Sequence, residues 1–205
     1  MYDIRVVSLS EVRGLFDKYH PYKGIGNVFA YVFACYEEER IVAAFAWAPP
    51  PPGCAKSVCP EEPAGVLALS RMVALPKEER KLKHISKPLM QIMKKHIDRD
   101  RWPVLVTFSD EALHTGWTYQ CSGWKKTNRR KSPKFLDDKG ARTSVYAAGG
   151  KKQGLTRGTD SFIQRWEHWA CSPGQVRSRL EKGHIHKQIP GKWKSGAPKF
   201  TWEKK

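Results

Sequence analysis

The chain has 205 residues, of which 40% are hydrophobic, and its formal net charge is +17. This length is sufficient for one domain with a buried core, and the hydrophobic fraction is too high for a wholly disordered chain. The sequence contains no run of about 18 apolar residues, which argues against a membrane-spanning helix. The positive charge favours a polyanionic partner, most simply nucleic acid, with an anionic membrane surface or ribosomal RNA as the alternatives.

The N-terminal residues lack the basic start and apolar core of a signal peptide, and the number of cysteines, five, is odd. We therefore expect a cytoplasmic protein with reduced thiols. The pairs Cys54-x4-Cys59 and His184-x-His186 have no further ligands at a suitable spacing. No metal site is assigned from them.

The charge is concentrated near the C-terminus. Residues 1–149 carry 24 Lys/Arg against 16 Asp/Glu, whereas residues 150–205 carry 13 against 4. This asymmetry predicts a catalytic domain over 1–149 and a basic, Trp-rich extension over 150–205, with a short helix at residues 160–169. Basic residues interleaved with tryptophans either grip a nucleic acid or pack the extension on the body.

The first half is predicted to contain a strand at 2–7, a helix from Ser8 or Ser10 to about 19, a hairpin of strands 28–36 and 41–47, a loop at 54–63 and a strand at 66–75. A helix follows at about 82–98, and its apolar positions at helical spacing predict a buried face of Ile85, Leu89, Ile92, Met93 and His96. The second half is predicted to contain a buried strand at 104–108, a helix capped by Ser109 or Asp110 that runs to about 121, and strands at about 123–131 and 143–147.

This order of elements resembles the GNAT acyltransferases, an α/β fold with a mixed, centrally splayed sheet flanked by helices. The resemblance implies a donor site in the opening of the sheet. A coenzyme A loop has the pattern Arg/Gln-x-x-Gly-x-Gly/Ala, in which glycines allow backbone N–H groups to approach phosphates. Residues 76–86 contain no glycine but several lysines and arginines. The segment could still face a phosphate-rich donor, but through side-chain charge, and the absence of glycine argues against an ordinary acetyltransferase.

Three motifs define a narrower resemblance. Tyr19-His20-Pro21-Tyr22 follows the first predicted helix, and Leu69-Ser70-Arg71-Met72 lies in an apolar strand. After the central buried strand comes the run Ser109-Asp110-x3-His114-x-Gly116-x2-Tyr119-Gln120-x-Ser122-Gly123-Trp124. Over about residues 15–150 this set resembles the Mom family of bacteriophage DNA-modification proteins. The resemblance implies conversion of adenine N6 in DNA to a carbamoylmethyl (glycinamide) group, which masks DNA from host restriction enzymes.

The resemblance implies catalytic roles for Asp110, Tyr119, His20 and Arg71. Asp110 is the candidate proton acceptor or adenine-edge acceptor, and the alternative is a helix N-cap. Tyr119 is the candidate general acid, and the alternative is a packed aromatic ring. Arg71 either pairs with Asp110 or holds an anionic donor group, because an arginine in an apolar strand requires a partner. His20 is either an active-site residue or an ordinary loop histidine.

Supporting residues are predicted around this set. Ser109, Ser122, Trp124 and Tyr22 are candidate substrate-binding residues, and Trp124 either stacks on a flipped base or packs in the core. Candidate nucleic-acid contacts are Lys125, Lys126, Arg129, Arg130, Arg165, Arg177 and Arg179.

Double-stranded DNA with a flipped adenine is the expected partner, because N6 is paired inside the duplex. The donor stays open: glycyl-tRNA is favoured over acetyl-CoA because it supplies both carbons and the nitrogen of glycinamide. An iron site formed by His20, Asp110 and a tyrosine is conceivable from the ligand types. The alternatives are another GNAT-type N-acyltransferase and a non-enzymatic nucleic-acid-binding protein.

Overall fold

A computed structural model of the protein describes residues 2–21, 28–133, 135–136, 142–143, 156–158, 160–172 and 174–176. The helices are α1 (Leu9–Tyr19), α2 (Pro52–Val58), α3 (Ser86–Lys95) and α4 (Trp117–Cys121). The strands are β1 (Asp3–Val6), β2 (Tyr31–Glu37), β3 (Arg40–Ala48), β4 (Val66–Ala74), β5 (Val104–Asp110), β6 (Lys125–Ser132), β7 (Phe135–Leu136), β8 (Arg142–Thr143), β9 (Thr156–Arg157) and β10 (Ser161–Trp169). None of the helices in these ranges has the length and hydropathy needed to span a lipid bilayer.

A seven-stranded sheet with the order β1-β2-β3-β4-β5-β10-β6 forms the body, and a small second sheet has the order β8-β7-β9. The apolar side of α1 buries Val12 and Phe16 against β2, β3 and β4. On the opposite face, α3 buries Leu89, Ile92 and Met93 in the largest core cluster. Each helix has apolar residues at helical spacing on one side only, so each covers one face of the sheet.

The sheet opens between β4 and β5. These two strands are parallel and pair only over Val66↔Val104, Leu67↔Leu105 and Ala68↔Val106. Just beyond the last pair, the Thr107 hydroxyl donates a hydrogen bond of 3.0 Å to the Leu69 carbonyl. Further along, β4 continues beside β3 and β5 continues beside β10. This opening, called the split below, confirms the predicted splayed mixed sheet.

Several predicted elements are confirmed, among them the β2–β3 hairpin, β4 and α3. The predicted helix at 160–169 is wrong, because these residues form β10. This strand is antiparallel to both β5 and β6 and lies between them. Residues 161–169, which were assigned to the basic extension, therefore belong to the main sheet. Residues 177–205 of that predicted extension lie outside the described residues.

Three further predictions differ in detail. Residues 52–58 form α2 instead of a loop, with Pro52 in the first turn, where a missing N–H is tolerated. The predicted helix after Asp110 is reduced to α4, because Gly116 has a left-handed φ of 74° and begins it late. In the buried face predicted for α3, His96 is exposed and Ile97 is buried instead.

Candidate active site at the split

Asp110 is the last residue of β5 and is only 4% exposed. One carboxylate oxygen accepts the backbone N–H of Ala112 at 3.1 Å. Its carbonyl oxygen accepts the N–H groups of Leu113 and His114 at 2.9 and 3.1 Å. Asp110 therefore caps a tight turn directly after the strand, and α4 begins only later in the chain. The turn holds the carboxylate at the end of β5, where β5 has separated from β4.

Tyr119 lies in α4 on the other face of β5 and is 5% exposed. Its side chain forms a hydrogen bond with Thr107, which in turn donates to the Leu69 carbonyl across the base of the split. Burial raises the pKa of Tyr119, and the hydrogen bond with Thr107 opposes this shift. The phenol is therefore protonated at neutral pH, which is the state a general acid requires.

Arg71 and His20 lie on the face of the sheet that α1 covers. Arg71 is opposite Ala46, which packs with α1, and its guanidinium donates to the Ser70 carbonyl at 3.0 Å. His20 directly follows α1, and its N–H donates to the Phe16 carbonyl at 3.0 Å. Successive side chains of β5 point to opposite faces of the sheet. Asp110 comes three residues after Thr107, so it lies on the face opposite Thr107 and Tyr119, which is the face that α1 covers. The predicted catalytic residues are thus divided, with Tyr119 on one face and the other three on the opposite face.

Three of the supporting residues predicted around this set, Ser109, Ser122 and Trp124, are buried. Ser109 accepts a hydrogen bond of 2.8 Å from Nε1 of Trp166. Ser122 donates to the carbonyls of Thr118 and Ser86 at 2.7 and 3.2 Å, which links α4 to α3.

Trp124 is likewise buried, with its ring centroid 6.3 Å from that of Trp47 and 6.0 Å from that of Tyr119. Trp124 therefore packs in the core, which was one of the two alternatives for this residue. The remaining predicted site residues, Tyr22, Arg177 and Arg179, lie outside the described residues.

Sequence reasoning missed Glu37, a buried carboxylate at the end of β2. The backbone N–H of Lys81 donates to it at 2.8 Å, and the N–H of Leu82 donates to its second oxygen. These amides belong to the loop between β4 and α3, the segment in which the coenzyme A pattern was sought. Glu37 also lines a cleft of about 330 Å³ beside Lys83 and Lys87. The loop amides of Lys81 and Leu82 therefore hold a carboxylate of the chain itself.

The strand β6 forms one edge of the main sheet, and its residues 125–131 are all exposed. Arg129 forms an ion pair of 2.8 Å with Glu111 and lies 3.5 Å above the ring of Phe162. Lys126 lies 5.3 Å above the Trp166 ring. Most of the predicted nucleic-acid contacts are on this strand, namely Lys125, Lys126, Arg129 and Arg130. We call this strand the basic edge.

The neighbouring Arg165 has a different environment. It pairs with Glu167 at 2.8 Å and donates to Ser57 Oγ at 3.1 Å, and its side chain is only 16% exposed. Its positive charge is therefore paired within the protein, and Arg165 is less accessible to a nucleic acid than the cations of the basic edge.

No metal site emerges from the described part of the chain. Within those ranges, no three side chains of His, Cys, Asp or Glu cluster in a way that could hold a metal ion. All five cysteines are free thiols. Burial raises the pKa of Cys35 to about 12.

Known structures share this architecture. An N-acetyltransferase from Staphylococcus aureus Mu50 is similar with a TM-score of 0.54 and 9% identity, over 83% of this chain and 99% of that one. A GNAT family acetyltransferase from Elizabethkingia anophelis with acetyl-CoA bound has a TM-score of 0.51 and 11% identity, over 82% of this chain and 97% of that one. A Bacillus subtilis acetyltransferase in complex with CoA has a TM-score of 0.51 and 9% identity, over 82% and 99%.

No protein-family model and no curated protein matches the sequence. The structural similarity, together with the sheet split between β4 and β5, establishes the GNAT fold. At these identities it establishes the fold and leaves the reaction to be argued from the site.

Proposed function

We propose that the protein is a GNAT-type transferase that converts adenine N6 in DNA to N6-carbamoylmethyladenine. The observation that carries this proposal is the placement of Asp110 at the open end of the split and of Tyr119 at its base, on the opposite face of β5, in a sheet with an exposed basic edge. Both residues belong to the run that resembles the Mom family. The expected setting is the cytoplasm of a phage-infected bacterium, where the modification protects phage DNA from restriction.

The chemistry assigns one proton transfer to each residue. Adenine N6 is a weak nucleophile, because its lone pair is delocalised into the ring. Asp110 accepts a proton from N6 while N6 attacks the donor carbonyl carbon. The oxygen that leaves the same carbon takes up a proton, and Tyr119, which is hydrogen-bonded to Thr107 at the base of the split, is its proposed source. A new C–N bond replaces the ester C–O bond.

The acceptor must leave the duplex before it can react. N6 takes part in base pairing, so the adenine has to rotate out of the helix into the split. Lysines and arginines on the basic edge neutralise phosphates of the flanking backbone. Binding of the flanking backbone gives a reason for the lysines and arginines along β6, away from Asp110.

Glu37 supports a donor other than coenzyme A. A diphosphate placed on the loop amides of Lys81 and Leu82 would compete with a carboxylate that already accepts both N–H groups. These two amides are therefore not free to bind a diphosphate, and we assign no step to that group. We propose a glycyl ester of tRNA as the donor, in which the acyl group is delivered by a second nucleic acid.

A glycyl donor also accounts for the atoms of the product. Transfer first gives N6-glycyladenine and releases the tRNA hydroxyl. The free glycyl amine then attacks ring carbon C6 through a five-membered ring, and the original C6–N6 bond breaks. The former N6 becomes the carboxamide nitrogen, so the rearrangement needs no oxidant or further reactant.

The test is mass spectrometry of nucleosides from plasmid DNA of bacteria that express the wild type, Asp110→Asn, Tyr119→Phe or Glu78→Gln. We expect carbamoylmethyladenine in the wild type and in Glu78→Gln, which alters an exposed carboxylate that has none of the assigned roles. Loss of a general base or acid reduces rates by about 10²- to 10⁴-fold, so the two site variants should give little product. Acetylated or unmodified adenine from folded wild type would refute the proposal.

The donor is tested separately with purified protein and an adenine-containing duplex. Glycyl-tRNA should support product formation, and acetyl-CoA should not. Product formed with acetyl-CoA alone would overturn the donor assignment and favour an ordinary acyl-CoA transferase.

A further inference from the structure

An exposed tryptophan stands beside the proposed site. Trp117, the first residue of α4, is 63% exposed, whereas the other tryptophans in the described ranges are buried or half-buried. Leu113 and Phe162 nearby are also exposed, at 37% and 38%. Single exposed apolar residues are common on protein surfaces, so the charged groups around Trp117 decide whether it marks a binding surface.

The turn before Trp117, residues 111–116, is attached to β10 and to β6, the basic edge. The N–H of Glu111 donates to the Phe162 carbonyl at 2.9 Å, and its carboxylate pairs with Arg129. Gly116, directly before Trp117, packs on the ring of Trp166, which Lys126 also contacts. The indole of Trp117 is therefore presented by a turn fixed at both ends, on the same side of the sheet as Lys126 and Arg129.

We propose that Trp117 is a base-stacking residue for an unpaired nucleotide of a nucleic acid whose backbone follows the basic edge. The inference rests on the proposed function, because it supplies the binding surface beside that same split. An aromatic face stacks on any nucleobase, and neighbouring cations neutralise the phosphates on either side. Trp117 thus takes the stacking role that was one of the two alternatives for the buried Trp124.

The register of β6 against β10, which shifts between Gln164 and Trp166, places two cations on one side of the strand. Lys126 pairs with Trp166, and Arg129 pairs with Gln164, so both cations lie on the face that carries α4. Their partners within the protein are aromatic rings and one exposed carboxylate, Glu111. A phosphate can approach both cations from solvent, since both side chains are exposed.

The test measures binding of fluorescent 12-nucleotide strands and of a duplex with one unpaired adenine to the full chain. We expect Trp117→Ala to weaken binding about 5- to 100-fold, and Trp117→Phe to retain most of it, because the ring still stacks. Val6→Ala is the matched control: Val6 is 69% exposed but lies on β1, at the other edge of the sheet. Its affinity should equal that of the wild type.

Salt dependence separates stacking from charge. Trp117→Ala should leave the slope of log affinity against log salt unchanged, whereas Lys126→Gln should reduce it by about 1. DNA and RNA strands are compared in parallel: an effect on DNA assigns Trp117 to the acceptor, and an effect confined to RNA assigns it to the donor tRNA. Either result supports a stacking role.

Unchanged affinity of Trp117→Ala alongside weakened Lys126→Gln would overturn the inference while leaving the proposed function intact. A change in molecular mass by light scattering, without a change in nucleic-acid affinity, would identify the patch as a protein interface and also overturn it. Failure of the wild type to bind any of the strands, together with unmodified plasmid DNA, would remove the proposed function itself.

Discussion

Gly116→Ala tests how the β5–α4 turn is held. Gly116 has φ at +74°, and a Cβ atom built there would lie 2.2 Å from Cζ2 of Trp166. A left-handed φ costs a non-glycine residue about 1–2 kcal/mol. Overpacking a close contact costs about 1–3 kcal/mol more, since the indole has to move. We therefore expect the free energy of unfolding to fall by about 2–5 kcal/mol.

Two other glycines separate these terms. Gly123 also has a positive φ of 81°, but its nearest neighbours, atoms of His168, are 4.0 Å from a built Cβ. Gly123→Ala should thus lose only the conformational part, about 1–2 kcal/mol. Gly14 lies within α1 with no atom within 4 Å of a built Cβ. Gly14→Ala should gain about 0.5–1 kcal/mol, because alanine is the better helix residue.

The assay is urea unfolding followed by far-ultraviolet circular dichroism on all four proteins under one buffer condition. The expected order of stability is Gly14→Ala, wild type, Gly123→Ala, Gly116→Ala. Equal losses for Gly116→Ala and Gly123→Ala would refute the close packing of Gly116 on Trp166. The m-values should agree, since a change in slope would signal an altered unfolded state or the loss of two-state behaviour.

Two further predictions concern charge. Glu37→Gln should weaken the contact to the amides of Lys81 and Leu82 and destabilise the protein by about 1–3 kcal/mol. It should also raise the affinity for inorganic pyrophosphate about 10-fold in calorimetry. Glu61→Gln, at an exposed carboxylate before β4, should leave that affinity unchanged; equal affinities of Glu37→Gln and the wild type would contradict the proposal that Glu37 occupies the loop amides. Burial lowers the pKa of His114 and His168 from 6.5, so the unfolded chain binds more protons as pH falls through that value. Stability in urea should therefore decline from pH 7.5 to pH 5.5, and His168→Gln should flatten the decline; an unchanged profile in that variant would exclude His168 as a cause.

The sequence identified the strands that form the split because their composition is simple. Residues 66–69 and 104–107 are almost wholly apolar, as expected for strands covered on both faces. The strand β10 was missed for the opposite reason. It buries Ser161, Gln164 and Glu167 among its aromatic residues, and its pairing with β6 shifts register between Gln164 and Trp166. The sequence of β10 therefore shows neither a uniformly apolar composition nor a regular alternation of buried and exposed residues.

In the candidate site, too, some residues could be predicted from the sequence and others could not. Asp110 was identified because a carboxylate directly after a buried strand is a recognisable pattern in α/β proteins. The sequence could not predict that Trp124 is buried and Trp117 is exposed. Both follow glycine-containing turns, and their exposure depends on how α4 packs. The run Glu37–Glu39 indicated only a polar turn. The contact of Glu37 with the amides of Lys81 and Leu82 spans more than 40 residues and is created by the tertiary fold.

The position of β10 changes how the C-terminal region should be dissected. Trp166 of β10 donates to Ser109, beside Asp110, and its ring centroid is 5.8 Å from that of Tyr119. A chain ending at Gly150 would therefore lose a central strand together with the support of both proposed catalytic residues. Reduced DNA binding by such a fragment would reflect loss of the fold and say nothing about basic residues near the C-terminus. A chain ending after Val176 retains β10 and Trp166, so only that truncation separates the charge of residues 177–205 from the integrity of the site.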